Sequence, residues 1–225
     1  AVTNTGGSYN PITGNWLTIN NTNAPYHTST NNNSVWTDSD LIVWSGSSGK
    51  KYNPITNTWV TINSIGSPPM ESNFTTIWTG NEMVVWGGSY SGNYTNLGGR
   101  YDPILDSWVL TDNSNGSPTA RYYHSSIWTG TEMLTWGGSD ITFTNTGGSY
   151  NPVTDIWKPT NIIGAPIARY LHTTIWTGSK MLQKPASLRL TSGGLLILKR
   201  SSVKRPEKPP IRAGEVHHRP RFAHA

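Results

Sequence analysis

An all-β fold built from one repeated unit is what this sequence predicts, and three observations carry the prediction. The first is composition. Of 225 residues only 13% are charged, 11 are Trp, and Gly, Ser, Thr and Asn abound. Chains of that kind form short strands joined by many turns. The second is a recurring string: Tyr9-Asn10-Pro11, Tyr52-Asn53-Pro54, Tyr101-Asp102-Pro103 and Tyr150-Asn151-Pro152, spaced by 43, 49 and 49 residues. Each Pro is followed five residues later by a Trp: Trp16, Trp59, Trp108 and Trp157. The third is two further Trp series. Trp36, Trp78, Trp128 and Trp176 open a Trp-Thr-(Gly or Asp) turn, and Trp44, Trp86 and Trp136 follow eight residues later. A period near 50 is the length of a four-stranded antiparallel blade of a β-propeller.

One unit shows how the strands are read. Ser125–Trp128 is strand A, Thr129–Glu132 a tight turn, and Met133–Trp136 strand B, closed by Gly137-Gly138. A longer loop leads to strand C at Gly148-Ser149-Tyr150. Asn151–Thr154 forms the second tight turn, with Asn and Pro where a turn favours them, and Trp157 begins strand D. Each Pro falls in a turn, where its missing N–H costs little. The repeated residues Tyr9, Trp16, Tyr52, Trp59, Trp86, Gly87, Gly88, Tyr101, Trp108, Trp136, Gly137, Gly138, Tyr150 and Trp157 are therefore expected to be structural. Large flat rings fill the wedge between neighbouring sheets, and the glycine pairs allow close backbone approach.

These strings resemble the kelch repeat. The resemblance lies in Gly-Gly closing strand B, Tyr-(Asn/Asp)-Pro followed by Trp across strands C and D, and Ala168-Arg169-Tyr170-Leu171-His172 before strand A. Trp-Thr-Gly-x-x-Met-x-x-Trp-Gly-Gly is similar to bacterial kelch-type proteins. The likeness covers roughly residues 5–181. It implies a propeller like the central domain of galactose oxidase, and a ring of six or seven blades, of which about four are present. Residues 1–19 supply strands C and D, residues 26–62, 73–111 and 123–160 three whole blades, and residues 172–181 strand A with the start of B. The two half-blades could close a four-bladed ring, but a fragment of a longer array is the favoured reading. The opening Ala1-Val2-Thr3 carries neither an initiator Met nor a signal-peptide pattern, and reads as the middle of something longer.

After Met181 the repeat fails. It calls for Trp at 184 and Gly-Gly next, and the chain has Lys184-Pro185-Ala186. Residues 1–181 carry seven Lys/Arg against ten Asp/Glu, whereas residues 182–225 carry ten against two and no Trp. Residues 182–225 are thus a basic, Pro-rich tail, expected to be disordered or not authentic propeller sequence: a genuine tail, a frame error or a chimeric join. Lys199-Arg200 and Lys204-Arg205 could meet phosphates, but no aromatic stacking group accompanies them, so nucleic acid is not an expected partner. His217-His218 and His224 have no evident fourth metal ligand. An interrupted sheet would leave ladder groups and aromatic surface exposed, making the chain less stable and more adhesive than a complete ring.

Function is expected in the loops. Strands alternate in direction, so A–B and C–D turns share one face, and B–C and D–A loops share the other. The A–B and C–D turns are short and uniform. The B–C connections vary, with 8, 15 and 14 residues from the strand B Trp to the strand C Tyr. Variable loops on a rigid scaffold are where binding residues gather. The candidates there are Tyr90, Asn93, Tyr94, Asp140 and Phe143. On the D–A side they are Arg121 and His124 in Ala120-Arg121-Tyr122-Tyr123-His124, and Arg169 and His172 in its recurrence. Arginines near such loops can read carboxylates in the family; yet the motif repeats, which favours a structural role.

Catalysis has little support. No carboxylate pair marks a glycosidase, Asp102, Asp106 and Asp155 sit in or beside turns, and Glu82 and Glu132 occupy equivalent hairpin positions. The resemblance points to galactose oxidase, whose radical site needs a Cys-linked Tyr, and this chain has no Cys. It also points to kelch-type sialic-acid epimerases. The leading expectation is a non-catalytic scaffold binding protein or glycan through its B–C and D–A loops; the alternative is a carbohydrate-active kelch enzyme or the propeller domain of one. No cofactor or metal is called for. No apolar run approaches the ~20 residues of a membrane helix. Further blades or neighbouring domains are expected partners, and the expected setting is secreted or cell-envelope.

Overall fold

The structure, a computed structural model, describes residues 4–25 and 33–184. It is all-β, with no helix among these residues. Strands β1 (Gly6–Asn10) and β2 (Asn15–Ile19) form a hairpin. The first four-stranded sheet is β3 (Asn33–Trp36), β4 (Leu41–Trp44), β5 (Gly49–Asn53) and β6 (Thr58–Ile62). The second is β7 (Thr75–Trp78), β8 (Met83–Trp86), β11 (Gly98–Asp102) and β12 (Ser107–Leu110), with a two-residue hairpin of β9 (Ser89–Tyr90) and β10 (Asn93–Tyr94) inserted in its long B–C loop. The third is β13 (Ser125–Trp128), β14 (Met133–Trp136), β15 (Gly147–Asn151) and β16 (Ile156–Pro159). A last hairpin joins β17 (Thr173–Trp176) to β18 (Met181–Lys184). In each sheet the strands follow chain order and pair antiparallel. The first strands β3, β7, β13 and β17 lie next to one another in succession.

Local chemistry explains both tight turns. In the A–B turns the Thr after the Trp accepts backbone N–H groups on its Oγ1: Thr79 from Glu82 (2.9 Å), Thr129 from Glu132 (3.0 Å) and Thr177 from Lys180 (3.0 Å). The next residue is left-handed, and where Gly is absent Asp38 fills that place at φ 71°, a conformation Asp tolerates. In the C–D turns the Asn or Asp before Pro caps the turn. Asp102 Oδ1 accepts from the N–H groups of Ile104 (2.7 Å) and Leu105 (3.0 Å), and Asn53 and Asn151 do the same.

The core lies between successive sheets. Strand β8 is buried along its whole length because it has a sheet on either side. Met83 and Val85 join Trp44, Ile62, Phe74 and Trp108 against the first sheet. Val84 and Trp86 join Ile77, Met133, Tyr150 and Trp157 against the third. The strand B Trp of the first and second sheets each meets the strand D Trp of the next sheet, Trp44 with Trp108 at 4.6 Å and Trp86 with Trp157 at 5.2 Å between ring centroids.

A polar latch accompanies each ring contact. The Tyr101 hydroxyl donates to Asp106 Oδ1 (2.6 Å), and the same oxygen accepts from the backbone N–H of Asn63 (2.8 Å), which follows the last strand of the first sheet. The Tyr101 bond holds Asp106 below the usual carboxylate range, and burial pushes the Tyr101 hydroxyl up. Asn57 performs this task one sheet earlier, between Tyr52 and Asn20, and Asp155 one sheet later, between Tyr150 and Asp112. All three latch residues are left-handed, as Asn and Asp readily are. Asp106→Ala is expected to cost about 1–3 kcal/mol, since the hydroxyl of the buried Tyr101 and the Asn63 N–H lose their shared acceptor. Asp106→Asn should lose less than about 1 kcal/mol, because Asn57 already serves. Urea midpoints of both variants check this; equal losses would show that the oxygen is not what matters.

Two expectations need correction. Tyr9 and Trp16 repeat the buried Tyr150 and Trp157 in sequence, yet both are exposed. Their rings meet at 5.1 Å with planes tilted by 40°, in a hairpin with no further strand beside it among the described residues. Strand B also does not lapse at Met181: β18 stays paired through Lys184. Residues 185–225, with the basic pairs and histidines of the tail, and Tyr26 and His27, lie outside the described residues.

Candidate functional site

The D–A segments and B–C loops are woven together by backbone hydrogen bonds. Gly88 N–H donates to Arg121 O (2.8 Å), and Arg121 N–H to Thr95 O (3.2 Å), so the segment entering the third sheet is gripped by the loop of the second. The next step repeats this: Gly138 N–H to Arg169 O (2.8 Å) and Arg169 N–H to Thr144 O (3.3 Å). Each segment also bridges its own sheet's loop, at Ser72–Ser89 and Tyr122–Ser139. Loops held this firmly keep their side chains in fixed places, which lowers the entropy cost of binding.

Arg121, His124 and His172 are buried within this weave and do not line an open face. Arg121 Nη1 donates to Gly137 O (3.0 Å) and Thr146 O (2.9 Å), Nε to Thr119 O (3.0 Å), and Nη2 to the hydroxyls of Thr119 and Thr146. The guanidinium thus ties both ends of the third sheet's B–C loop. Burial lowers its pKa to about 10, so it stays charged at neutral pH. Arg169 keeps the counterpart of the Nε bond, to Ile167 O (3.1 Å), and is half-buried.

The histidines are wedges. His124 meets Trp86 edge-on at 5.0 Å and shares a hydrogen bond with Thr75 Oγ1 (2.9 Å) on the preceding sheet. His172 does the same with Trp136 (5.4 Å) and Ser125 Oγ (2.7 Å). The first glycine of each pair makes the room: a Cβ on Gly87 would stand 2.6 Å from the His124 ring, and one on Gly137 2.7 Å from that of His172. Both glycines also have positive φ. Where Phe74 replaces the histidine, Ser45 stands in place of the glycine.

The exposed part of the site is aromatic. Tyr94 stacks on Tyr122 with centroids 4.7 Å apart and planes at 9°. Tyr122 meets Tyr123 at 4.4 Å, Tyr123 meets Tyr170 at 6.1 Å, and Phe143 stacks on Tyr170 at 4.4 Å and 16°. Five rings therefore run as one strip from the second sheet's loop across the third sheet's approach to that of the last hairpin. Tyr94 and Phe143 at its ends are 42% and 53% exposed. Tyr90 and Asn93 stand exposed on the β9–β10 hairpin beside Tyr94. Asp140 is half-buried at the rim, where the Thr142 N–H (3.0 Å) and the Thr119 hydroxyl (3.3 Å) hold its carboxyl below the usual range. Among the described residues no three His, Asp or Glu cluster as a metal site.

Of the candidates read from the sequence, Tyr90, Asn93, Tyr94, Asp140 and Phe143 come together around the strip, whereas Arg121, His124 and His172 lie beneath it. Tyr122, Tyr123 and Tyr170 complete the strip and were not among the expected residues. The available signal was that Tyr122 and Tyr170 both stand six residues before a strand A Trp. No protein-family model matches the chain, and no curated protein matches it.

Proposed function

We propose that this chain is a stretch of a kelch-type β-propeller and works as a non-catalytic recognition scaffold, binding protein or glycan across its B–C and D–A loops. The propeller arrangement is supported by the succession of first strands β3, β7, β13 and β17, by chain-order sheets, and by the inter-sheet Trp pairs. The observation that carries the binding reading is the five-ring strip, anchored on loops tied to the sheets. Tyrosines give large, stiff contact area with a polar edge at small entropy cost, and Ser, Gly and Asn beside them adapt their hydrogen bonds. The loop Ser89-Tyr90-Ser91-Gly92-Asn93-Tyr94-Thr95-Asn96 has that composition.

The test is a glycan array and a panel of purified proteins probed with the parent chain and with Tyr94→Ala/Phe143→Ala. For the ligand found, the double variant should bind at least about tenfold more weakly, the worth of about 1.4 kcal/mol. Its urea midpoint should barely move, since both rings are half exposed. Unchanged affinity, or no loss on replacing loops 89–97 and 139–146, would remove the assignment. A turnover assay run on the same ligands separates this reading from a carbohydrate-active enzyme.

A further inference from the structure

The aromatic strip holds the same arrangement twice. Tyr94 stands just before Thr95 and stacks on Tyr122; Phe143 stands just before Thr144 and stacks on Tyr170. The same bonds clasp both loops. Thr95 N–H donates to Gly88 O (3.0 Å), and Thr144 N–H to Gly138 O (3.1 Å). Thr95 Oγ1 accepts from the Leu97 N–H (3.0 Å), and Thr144 Oγ1 from the Thr146 N–H (3.1 Å). Two equivalent ring pairs, one sheet apart, thus present the same surface in the same setting. Neither ring of a pair occurs one step earlier: the first sheet's loop is Ser45-Gly46-Ser47-Ser48, and Ser72 takes the place of Tyr122.

Tyr123 joins the two pairs, its ring 4.4 Å from that of Tyr122 and 6.1 Å from that of Tyr170. Its backbone is left-handed at φ 55°, and the corresponding residue ahead of the second sheet is Asn73 at φ 59°. Asn adopts that conformation readily, whereas Tyr does so against steric resistance, and such residues gather at ligand sites. The exposure of the pairs belongs to the repeated unit and not to the end of the chain. Tyr94 is 42% exposed with the four-stranded third sheet in place after it, and Phe143 is 53% exposed.

Repetition in a binding surface matches repetition in what it binds. We propose, building on the recognition reading above, that the strip takes a linear glycan of repeating units. One unit covers the Tyr94–Tyr122 pair, and a later unit of the same glycan covers the Phe143–Tyr170 pair. The surroundings favour sugar over a protein surface. A pyranose ring has apolar C–H faces and a rim of hydroxyls; here each outer ring offers an open face and is preceded by an exposed hydrogen-bonding side chain, Asn93 or Thr142. Protein partners are held instead by a few side chains in fully desolvated pockets. Tyr94 and Phe143 share a ring face but not a hydroxyl, so the face is the contact. Once one unit is seated, the next binds at the high effective concentration that its linkage sets.

Isothermal titration of the parent chain with cello-, xylo- and chito-oligosaccharides, from the monosaccharide upward in length, tests this. In at least one series affinity should rise at least about tenfold between the single sugar and the shortest oligomer that spans both pairs, then level off. Tyr94→Ala and Phe143→Ala should each remove that gain with length, and the conservative Tyr94→Phe should restore it. Absence of binding in all three series, affinity independent of length, or a Tyr94→Ala loss equal for single sugar and oligomer would each overturn the proposal. The recognition reading outlives any of these results if a protein binds the parent and is lost from Tyr94→Ala/Phe143→Ala. It falls on its own account if that double variant binds its ligand unchanged.

Discussion

Trp86→Ala is expected to cost about 3–5 kcal/mol, a large share of the stability of any domain this size. Trp86 has no exposed surface and touches two different neighbours, the Trp157 ring at 5.2 Å and the His124 ring at 5.0 Å. Alanine would leave a cavity between the second and third sheets, and it cannot collapse freely: β8 is held in its ladder on both sides, by β7 and β11. Trp86→Phe keeps part of the volume and should lose markedly less. Trp36→Ala, from the strand A series of the first sheet, is the comparison, because Trp36 is half exposed and the space its ring leaves is open to water. Urea unfolding of the three variants measures the difference. A loss below about 1 kcal/mol for Trp86→Ala would show that the sheets are not packed through this ring.

The contrast between Trp157 and Trp16 shows where sequence reading stops. The strings around them are nearly the same, and both form the same C–D hairpin with the same Asx-capped turn. One is in the core and the other in water, because burial is decided by which strands lie alongside. The strands β13–β16 were legible to within a residue or so, since turn chemistry at Thr129, Gly130, Asn151 and Pro152 is local. The latch at Asp106 was not legible beyond its place beside a turn, because the N–H it serves belongs to Asn63, 43 positions earlier. The same holds at the candidate site. Tyr94 and Phe143 stood out as aromatics in variable loops. That Arg121 turns inward depends on the carbonyls of Gly137 and Thr146, which no spacing rule brings together with it. His124 resembled a ligand group for want of knowing that Gly87 of the preceding sheet leaves a hollow for its ring.

That hollow makes the fold acid-sensitive. Burial in the first place, and the charge of Arg121 in the second, lower His124 to about 3. Burial and Arg169 lower His172 in the same direction. An unfolded histidine takes its proton near pH 6.5, whereas the folded His124 does not until about 3. The unfolded state therefore binds more protons across that window, and stability falls as pH drops through it, by up to about 1.4 kcal/mol per pH unit for each neutral buried histidine. Above pH 6.5 both states are neutral at these rings, and the slope should vanish. The carboxylates held low, Asp106, Asp112 and Asp140, act in the same direction but only as pH approaches 4 and below. Between pH 7.5 and 5 the histidines dominate, and the loss for His124 alone should reach about 2 kcal/mol by the same arithmetic. His124→Phe isolates it, because Phe74 fills the equivalent position ahead of the second sheet and cannot titrate. Urea midpoints of parent and variant at pH 7.5 and 5.0 should diverge in slope, the variant losing less on acidification by one histidine's share. Parallel pH profiles would mean that the His124 ring is protonated in the folded state, and that the Trp86 edge contact does not exclude water from it.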